Sequence, residues 1–492
     1  MGPQINASSG DSLVARVRSA VYWRWGSQVL AQTITWSTTI VVVRLLDPGD
    51  YGLFAMTQAV LTALNFLSGY SFATSLIQTS DVSERRIGQV FGLLIVSNLL
   101  LASAQVLLAP LAAAYYNQPM VADLLRVQAL LYLATPFIAL PSSLLARHLD
   151  FRRQAKVNLV SALAGALAAL ALALAGLGVW ALVWAPIVLF ATRAAGLTLA
   201  AGGLVRPVFD FRGARDVIGF GSALTLCQLF WIVQSQADIV IAGRAFAPHD
   251  LGIYSEALFL VLIFTGRFLP PLNEVAFPAY AELHNGGQPV GPAFLNAVRM
   301  IMLLAVPFYA GLALVAGPLV ETFFGPKWLE MIPVVAGLAL AMPAMALQIA
   351  CAPATNALGR PGFYVASAAT GAIIMPTAFL LGVGQGASGL VLAWQVAAPL
   401  LLLATLALTL PALKVRWRDL LAALAPSLGA AAIMAGVLLL AEPAFAGWPA
   451  PVRLLAMAGL GAAVYIGALA IIAREVMREL IGFVSNRQLR TA

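Results

Sequence analysis

An arginine stands beside one of the most apolar stretches of the sequence. Arg267 follows the apolar run 258–266 and precedes Pro270 and Pro271. An ionisable side chain inside an apolar segment is costly, and by default it indicates a functional site. A guanidinium is always charged and can bind phosphate or carboxylate groups with two hydrogen bonds. The sequence therefore predicts an anion-binding role for Arg267. The alternative is a structural pair with Glu274, because positions seven apart share a helix face.

Other ionisable residues lie within or beside apolar segments. Arg126, about one turn inside its segment, is a second candidate for lining a polar cavity; the alternative is that its side chain extends back to the interface. Asp238 and Glu256 flank a turn between segments that we expect to face each other. Together with Glu274, they are candidates for binding a coupling proton or sodium ion. The alternative for Asp238 and Glu256 is charge balance with the nearby Arg244.

Catalytic and metal-binding patterns are not found in the sequence. The three histidines lie in different connectors, and Cys227 and Cys351 each lie inside an apolar segment. This distribution predicts neither a metal site nor a disulfide framework. We find no acid pair, no nucleophile with its base and no phosphate-binding loop. We therefore expect no catalytic residue, no metal and no cofactor.

The composition shows what surrounds these residues. Hydrophobic residues make up 61% of the 492 residues, and charged residues only 10%. The mean hydropathy is +0.91. A soluble domain needs about a quarter of its residues charged to cover its surface. The outer surface of this protein must therefore meet lipid.

Apolar runs of about twenty residues, long enough to cross a bilayer, recur along the chain. Pro, Gly and charged residues separate them. We predict an all-α polytopic membrane protein with about fourteen transmembrane helices. The predicted spans are 23–45, 52–78, 88–114, 121–145, 156–177, 179–203, 217–243, 252–280, 294–316, 331–357, 363–383, 387–411, 419–441 and 452–473.

The basic residues predict the orientation, because cytoplasmic connectors carry an excess of Lys and Arg. With the N-terminus inside, the cytoplasmic connectors and tails hold most of the basic residues, Arg193 and Arg299 among them. The external connectors then hold only Arg44, Arg244, Lys327 and Arg453. We therefore predict that both termini are cytoplasmic.

The chain contains an internal repeat. Residues 44–52 line up with 244–252, and the Ser, Ala and Gly positions of 161–178 recur in 367–384. The two halves should be related by an axis along the membrane normal, with substrate near their interface. Repetition tracks the fold, so we interpret the charged and glycine residues of the first pair as helix-end and turn residues. These residues are Arg44, Asp50, Gly52, Arg244, Asp250 and Gly252.

The repeat and the spans together predict the domain organisation. The predicted parts are a cytoplasmic N-terminal segment (1–20), an N-terminal six-helix bundle (21–204), a basic cytoplasmic connector (205–216), a C-terminal six-helix bundle (217–411), two additional helices (412–473) and a cytoplasmic tail (474–492).

Several short stretches resemble one family when they are taken together. They are VRLLDPGDYGL (43–53), ATSLIQ (73–78), LARHLDFR (145–152), ADIVIAGR (237–244), LGIYS (251–255), FPAYA (277–281), GPLV (317–320) and FGPKW (324–328). In this order and at this spacing, over residues 20–410, the chain resembles the bacterial polysaccharide transporters (Wzx-type flippases). Their superfamily also holds multidrug-and-toxin extruders and lipid II flippases.

The resemblance implies two six-helix bundles splayed into a V around a central cavity that opens alternately to each side. It implies a flippase in the bacterial inner membrane that moves an undecaprenyl-pyrophosphate-linked oligosaccharide for exopolysaccharide or O-antigen (lipopolysaccharide) synthesis. Arg267 and Arg126 would then bind the pyrophosphate. The implied partners are this lipid-linked substrate, membrane lipids, a polysaccharide polymerase and chain-length machinery, with no nucleic acid.

Three other functions remain open. A multidrug or small-molecule exporter of the same superfamily would have an acidic rather than a basic cavity lining. A polymerase or lipid-using glycosyltransferase would need a large external loop, whereas the longest external connector, about 317–330, has few polar residues. A scaffold without transport is the third.

Overall fold

The computed structural model describes residues 7–65, 83–147, 150–203, 206–210 and 215–473. Among the stretches named above, 73–78, the start of the N-terminal segment (1–6), and the predicted tail 474–492 lie outside the described residues. Of the stretch 145–152, residues 148 and 149 lie outside as well, as do 204–205 and 211–214 around the predicted connector.

Contacts divide the chain into two compact units. The first unit holds the residues up to Leu229 together with Ala247–His249, and the second holds Phe230–Phe246 and the residues from Asp250 on. The helices of the first unit are α1 (Ala7–Leu45), α2 (Pro48–Asn65), α3 (Glu84–Tyr116), α4 (Met120–Gln128), α5 (Leu130–Arg147), α6 (Phe151–Leu174) and α7 (Val179–Ala200). Helix α8 (Arg215–Ala245) begins in the first unit and ends in the second.

The second unit continues with helices only. They are α9 (Pro248–Asn285), α10 (Val290–Phe323), α11 (Met331–Ala357), α12 (Pro361–Gly382), α13 (Gly386–Leu413), α14 (Trp417–Phe445) and α15 (Ala450–Ile472). Two short 3-10 turns, Pro326–Trp328 and Val383–Gln385, join neighbouring helices. The residues that the structure describes contain no β-strand.

The lengths and composition of these helices suit a membrane. Within the described residues, 10 helical stretches are long and apolar enough to cross one, and the stretch Val365–Leu413 contains parts of both α12 and α13. The predicted all-α polytopic membrane fold is confirmed. The number of fourteen crossings stays a prediction, although every predicted span overlaps a helix of the structure.

Each unit repeats one close contact between its third span and the segment that follows its sixth. In the first unit, the backbone N–H of Val208 donates to the carbonyl oxygen of Gly88 at 2.8 Å. A Cβ on Gly88 would lie 2.8 Å from Cγ2 of Val208, and a Cβ on Gly291 of the second unit would lie 2.8 Å from Cγ2 of Val415. Only glycine leaves room for the chain at these positions. The recurrence supports the repeat found in the sequence.

Two arginines correct the assignment made from charge. Arg193 and Arg299 lie inside α7 and α10, not in connectors. The Nε atom of each is shielded from solvent. Both helices continue past these residues because an arginine stem can pack along apolar neighbours without interrupting the backbone hydrogen bonds. These two charges therefore carry less weight in the orientation argument.

The last two helices pack against the second unit. Helices α14 and α15 both contact α10. The hydroxyl of Tyr465 on α15 donates to the carbonyl oxygen of Leu303 on α10 at 2.8 Å. At the turn between the two helices, Arg453 and Glu442 form a salt bridge of 3.1 Å. These helices are therefore integrated into the second unit.

Candidate functional site

Helix α9 presents three of the predicted site residues on one face. Glu256 and Arg267 are about three turns apart, and Arg267 and Glu274 about two, so all three point in nearly the same direction. The opposite face is packed, and its buried residues are Tyr254, Leu258, Val261, Thr265 and Leu269. Arg267 and Glu274 are exposed, and Glu256 is half-buried. We call Glu256, Arg267 and Glu274 the charged face of α9.

The charged face is not held together by ion pairs. Within the described residues, no salt bridge joins Arg267 to Glu274 or to Glu256. The structure thus does not form the Arg267–Glu274 pair that the sequence left as an alternative. The guanidinium of Arg267 is therefore available to bind a ligand.

Two consecutive prolines follow Arg267. Pro270 and Pro271 have no N–H groups, so the carbonyl oxygens of Gly266 and Arg267 cannot receive the usual helical hydrogen bond. The helix nevertheless continues to Asn285. A hypothetical Cβ on Gly266 would meet no other atom within 4 Å, which shows that the surface here is open. This part of α9 combines a positive side chain with backbone oxygens that lack their usual helical donor, a combination found where interrupted transmembrane helices bind substrates or ions.

Asp238 is placed differently, in the core of the second unit. Its side chain is only 1% exposed. The hydroxyl of Tyr254 donates to Oδ2 of Asp238 at 2.9 Å, and the backbone N–H of Ile239 donates to Oδ1 at 2.8 Å. Trp394 in turn donates from its indole Nε1 to the hydroxyl oxygen of Tyr254 at 2.9 Å. These hydrogen bonds to Asp238 come from neutral groups, whereas Arg244 lies exposed at the end of α8.

The surroundings of this buried carboxyl group join three helices. Asp238 is on α8, Tyr254 on α9 and Trp394 on α13, and we call these three residues the carboxyl cluster. The ring of Phe379 on α12 packs against Trp394, with centroids 5.6 Å apart. Tyr254 belongs to the packed face of α9. Its hydroxyl, which donates to Asp238, therefore lies on the opposite side of α9 from the charged face. Asp238 is thus held by the same helix that carries Arg267.

One turn before Asp238, a glutamine makes a second close contact. The side chain of Gln234 lies against Gly371 on α12, where a Cβ would meet its amide group. Gly371 belongs to the repeated stretch 367–384. Gly371 therefore leaves the room that lets Gln234, one turn before Asp238, pack against α12.

Arg126 has a local partner in the first unit. Its Nη1 atom lies 2.8 Å from Oδ1 of Asp123, one turn earlier on α4, and both side chains are exposed. The structure places Arg126 in a different unit from Arg267. An arginine that forms an exposed pair at a helix end matches the interface alternative considered from the sequence.

The repeated turn residues lie at helix ends. Arg44 is in the last turn of α1, and Asp50 is in the first turn of α2. The Oδ1 atom of Asp50 accepts a hydrogen bond of 2.9 Å from the backbone N–H of Val179, at the start of α7, and so ties two turns together. In the second unit, Arg244 and Asp250 take the equivalent last-turn and first-turn positions. Gly52 and Gly252 are both buried.

Two members of the carboxyl cluster were not predicted from the sequence. Tyr254 and Trp394 were not among the predicted site residues, yet they form the hydrogen-bond chain that ends at Asp238. One signal was available, because Trp394 falls in the middle of a predicted span rather than near its end, where tryptophan usually lies. A buried indole N–H needs a hydrogen-bond acceptor, and this requirement would have directed attention to it.

Sequence comparison identifies the family. The family model described as polysaccharide biosynthesis protein matches residues 41–333. The teichuronic acid biosynthesis protein TuaB of Bacillus subtilis (strain 168) is 27% identical over 272 residues, 55% of this chain and 56% of the relative. The succinoglycan biosynthesis transport protein ExoT of Rhizobium meliloti (strain 1021) is 26% identical over 319 residues, 64% of this chain and 65% of the relative.

A third relative gives a similar result. The lipopolysaccharide biosynthesis protein WzxC of Escherichia coli (strain K12) is 22% identical over 300 residues, 60% of each chain. The chain thus matches less than two thirds of the length of each of these relatives.

Solved structures show where the fold recurs. The lipid II flippase MurJ in an inward closed conformation superposes with a TM-score of 0.73 at 13% identity, covering 93% of this chain and 99% of that one. An inward-facing multidrug resistance transporter of the MATE family gives a TM-score of 0.60 at 12% identity, covering 78% of this chain and 98% of that one. The resemblance found from the motifs is confirmed. The protein is a multi-pass membrane protein that belongs to the polysaccharide biosynthesis protein family and has the fold shared by MurJ and the MATE transporters.

Proposed function

We propose that this protein is a flippase that moves a polyprenyl-pyrophosphate-linked oligosaccharide across the bacterial inner membrane for the synthesis of a surface polysaccharide. The observation that carries the proposal is Arg267, an exposed guanidinium within a predominantly apolar helix and without an ion pair among the described residues. A pyrophosphate is the natural partner of such a group, because its oxygens accept paired, charge-assisted hydrogen bonds. Relatives named for teichuronic acid, succinoglycan and lipopolysaccharide biosynthesis support this class of substrate.

The position of Arg267 along α9 suits loading from the cytoplasmic leaflet. At 1.5 Å per residue, Arg267 lies about 28 Å from the start of α9 at Pro248. A hydrocarbon core is about 30 Å thick. If Pro248 lies at the external surface, Arg267 lies near the cytoplasmic headgroups, where the pyrophosphate of a newly made lipid-linked unit resides. Transport by alternating access would then carry the bound headgroup across the membrane.

We also propose that Asp238 couples transport to a proton or a sodium ion. A carboxyl group buried among neutral donors can exchange a proton or hold a small cation as its surroundings change. Glu256 and Glu274 of α9 are the other two carboxyl groups that we propose for this role. The carboxyl cluster supports coupling because Tyr254 links Asp238 directly to the helix that carries Arg267. A polysaccharide polymerase and chain-length proteins would use the transported unit outside.

The orientation has its own test. We expect both termini in the cytoplasm, since most of the basic residues then lie inside. Reporter fusions should indicate the outside at Ala114, Gly178 and Gly384, and the inside at Arg86, Arg153 and Arg418. Opposite results for Arg153 and Arg418 would contradict the parallel orientation of the two repeats, because both residues lie at equivalent sides of their halves.

The decisive experiment follows the lipid-linked unit in cells that lack the protein. Assembly on the cytoplasmic face should continue, so the unit should accumulate in the inner leaflet, protected from a glycan-directed reagent added outside. Long polymer should disappear. A small-molecule exporter would leave polymer intact and change drug sensitivity, and a polymerase would leave single units exposed outside. Either of these results would exclude the proposed function.

A further inference from the structure

Aromatic rings of α9 and α10 pack together at the level of α9 that carries Arg267. The ring of Phe264 stacks on that of Phe268, with centroids 5.1 Å apart, and on that of Phe308, with centroids 4.9 Å apart. The interplanar angle is 24° in both pairs. Tyr309 packs edge-on against Phe264 and Phe308 and braces the arrangement. We call Phe268, Phe264 and Phe308 the aromatic stack.

The central ring of the stack is buried, and the other two rings are exposed. Phe264 is 6% exposed, whereas Phe268 is 57% exposed and Phe308 is 42% exposed. The large exposed fractions of Phe268 and Phe308 leave ring surface uncovered on both residues. The stack therefore presents aromatic surface that can receive another flat group.

Arg267 distinguishes this surface from one that only meets lipid. It directly precedes Phe268, so these two exposed side chains leave α9 from adjacent positions about 100° apart, within reach of one ligand that is larger than either group. A helix face turned entirely to hydrocarbon would avoid the charges that Glu256 and Arg267 bring. The combined surface fits a ligand that joins an anionic group directly to a ring with an apolar face.

A sugar bonded to a phosphate has this construction. The face of a pyranose ring carries C–H groups, and the negative face of an aromatic ring attracts such positively polarised hydrogens. In a lipid-linked oligosaccharide, the pyrophosphate is bonded directly to the first sugar, so the two groups must be bound side by side. We propose that Phe268 holds the first sugar ring of the substrate while Arg267 binds the adjoining pyrophosphate, an assignment that rests on the proposed function.

The test compares two soluble probes that differ only in the sugar. Purified full-length protein is titrated with two esters of farnesyl diphosphate, one that carries a methyl group on the terminal phosphate and one that carries a glucose there, so that both probes have the same charge. The wild type should bind the glycosylated probe more tightly. Phe268→Leu should weaken binding of that probe about fivefold and leave the other within about twofold, because only the stacking contact is lost. Phe268→Tyr keeps the ring and should bind both probes like the wild type.

Phe259 provides the matched control. It lies on the same helix and is 57% exposed, as Phe268 is, but it has no place in the stack. Phe259→Leu should therefore change neither affinity, whereas Arg267→Ala should weaken both. Thermal unfolding of each variant verifies that the fold is intact.

The outcomes separate this inference from the proposed function. Equal losses for both probes with Phe268→Leu, or a loss with Phe259→Leu as large as that with Phe268→Leu, would show that the ring does not recognise sugar. Equal affinity of the wild type for the two probes would overturn the sugar site and leave the flippase proposal standing. A wild type that binds neither probe would overturn both.

Discussion

Replacing Arg267 by alanine is expected to abolish polymer export in a complementation assay while the protein stays in the membrane at its normal level. Losing one partner of a charge-assisted pair that is shielded from water costs about 2–5 kcal/mol, so we expect transport to fall about 30-fold or more. The fold should tolerate the change, because Arg267 is exposed and forms no salt bridge with Glu274 or Glu256 in the described residues. Polymer per cell and an immunoblot of membranes measure the two effects.

Companion variants separate charge from geometry. Arg267→Lys should keep part of the export, because a point charge still attracts phosphate although it cannot bind it with a planar fork. Arg153→Ala removes an exposed arginine that is paired with Asp150 at 3.3 Å. Export should then stay within about twofold, because such surface pairs contribute about 0–1 kcal/mol.

Two results would contradict the role of Arg267. A fully active Arg267→Ala variant would leave the residue with no part in transport. Loss of protein from the membrane with Glu274→Ala alone would favour a structural pair that forms in another state of the protein. Both measurements use the same strain and the same immunoblot.

The second large effect is expected at Asp238. Asp238→Asn keeps the size of the side chain and one oxygen that can accept from Tyr254, but it removes the group that can bind a proton or hold a cation by its charge. We expect export to fall about 100-fold. The residual activity should lose its dependence on external pH or on sodium, whichever ion the wild type responds to. Polymer yield in media of different pH and sodium content measures this.

Tyr254→Phe separates coupling from a purely structural role. It removes the hydroxyl that donates to Asp238 at 2.9 Å and accepts from Trp394, so the cluster loses two hydrogen bonds while the carboxyl group remains. Each lost bond costs about 1 kcal/mol of stability. If Asp238 couples transport to an ion, Tyr254→Phe should retain ion-dependent export. If both variants lose export equally and both fall in membrane level, the carboxyl group serves only the fold.

The architecture of this protein follows from local features of its sequence. A chain with few charges and repeated apolar runs of about twenty residues folds as helices in lipid, because a helix pairs every backbone polar group within its own segment. The turn from Arg44 to Gly52 recurs at 244–252 and so shows which residues of the two halves correspond. Such a turn can be recognised from the sequence because proline and glycine restrict the backbone locally. The split at Gly176 and Gly178 is confirmed, because α6 ends at Leu174 and α7 begins at Val179. There the backbone has φ of +73° and +53°, which glycine tolerates best.

Helix periodicity is likewise sufficient to place Arg267 and Glu274 on one face of a helix. Periodicity could not decide whether the two residues form an ion pair, because a spacing of seven residues is the same whether or not the side chains touch. The positions of Arg193 and Arg299 were misread for a related reason. Both residues lie inside the predicted spans 179–203 and 294–316, and one charge in a long apolar run does not move the end of a helix, so their assignment to connectors was wrong.

The surroundings of the candidate groups depend instead on how distant helices pack. The three residues of the carboxyl cluster come from α8, α9 and α13. Trp394 lies 140 residues beyond Tyr254 in the chain. The aromatic stack likewise needs Phe308 of α10 to meet two rings of α9. No local pattern encodes such contacts, because they depend on which helix faces are brought together when the unit packs. The chemistry of single residues could be proposed from their types and spacing, whereas their partners follow from packing between distant helices.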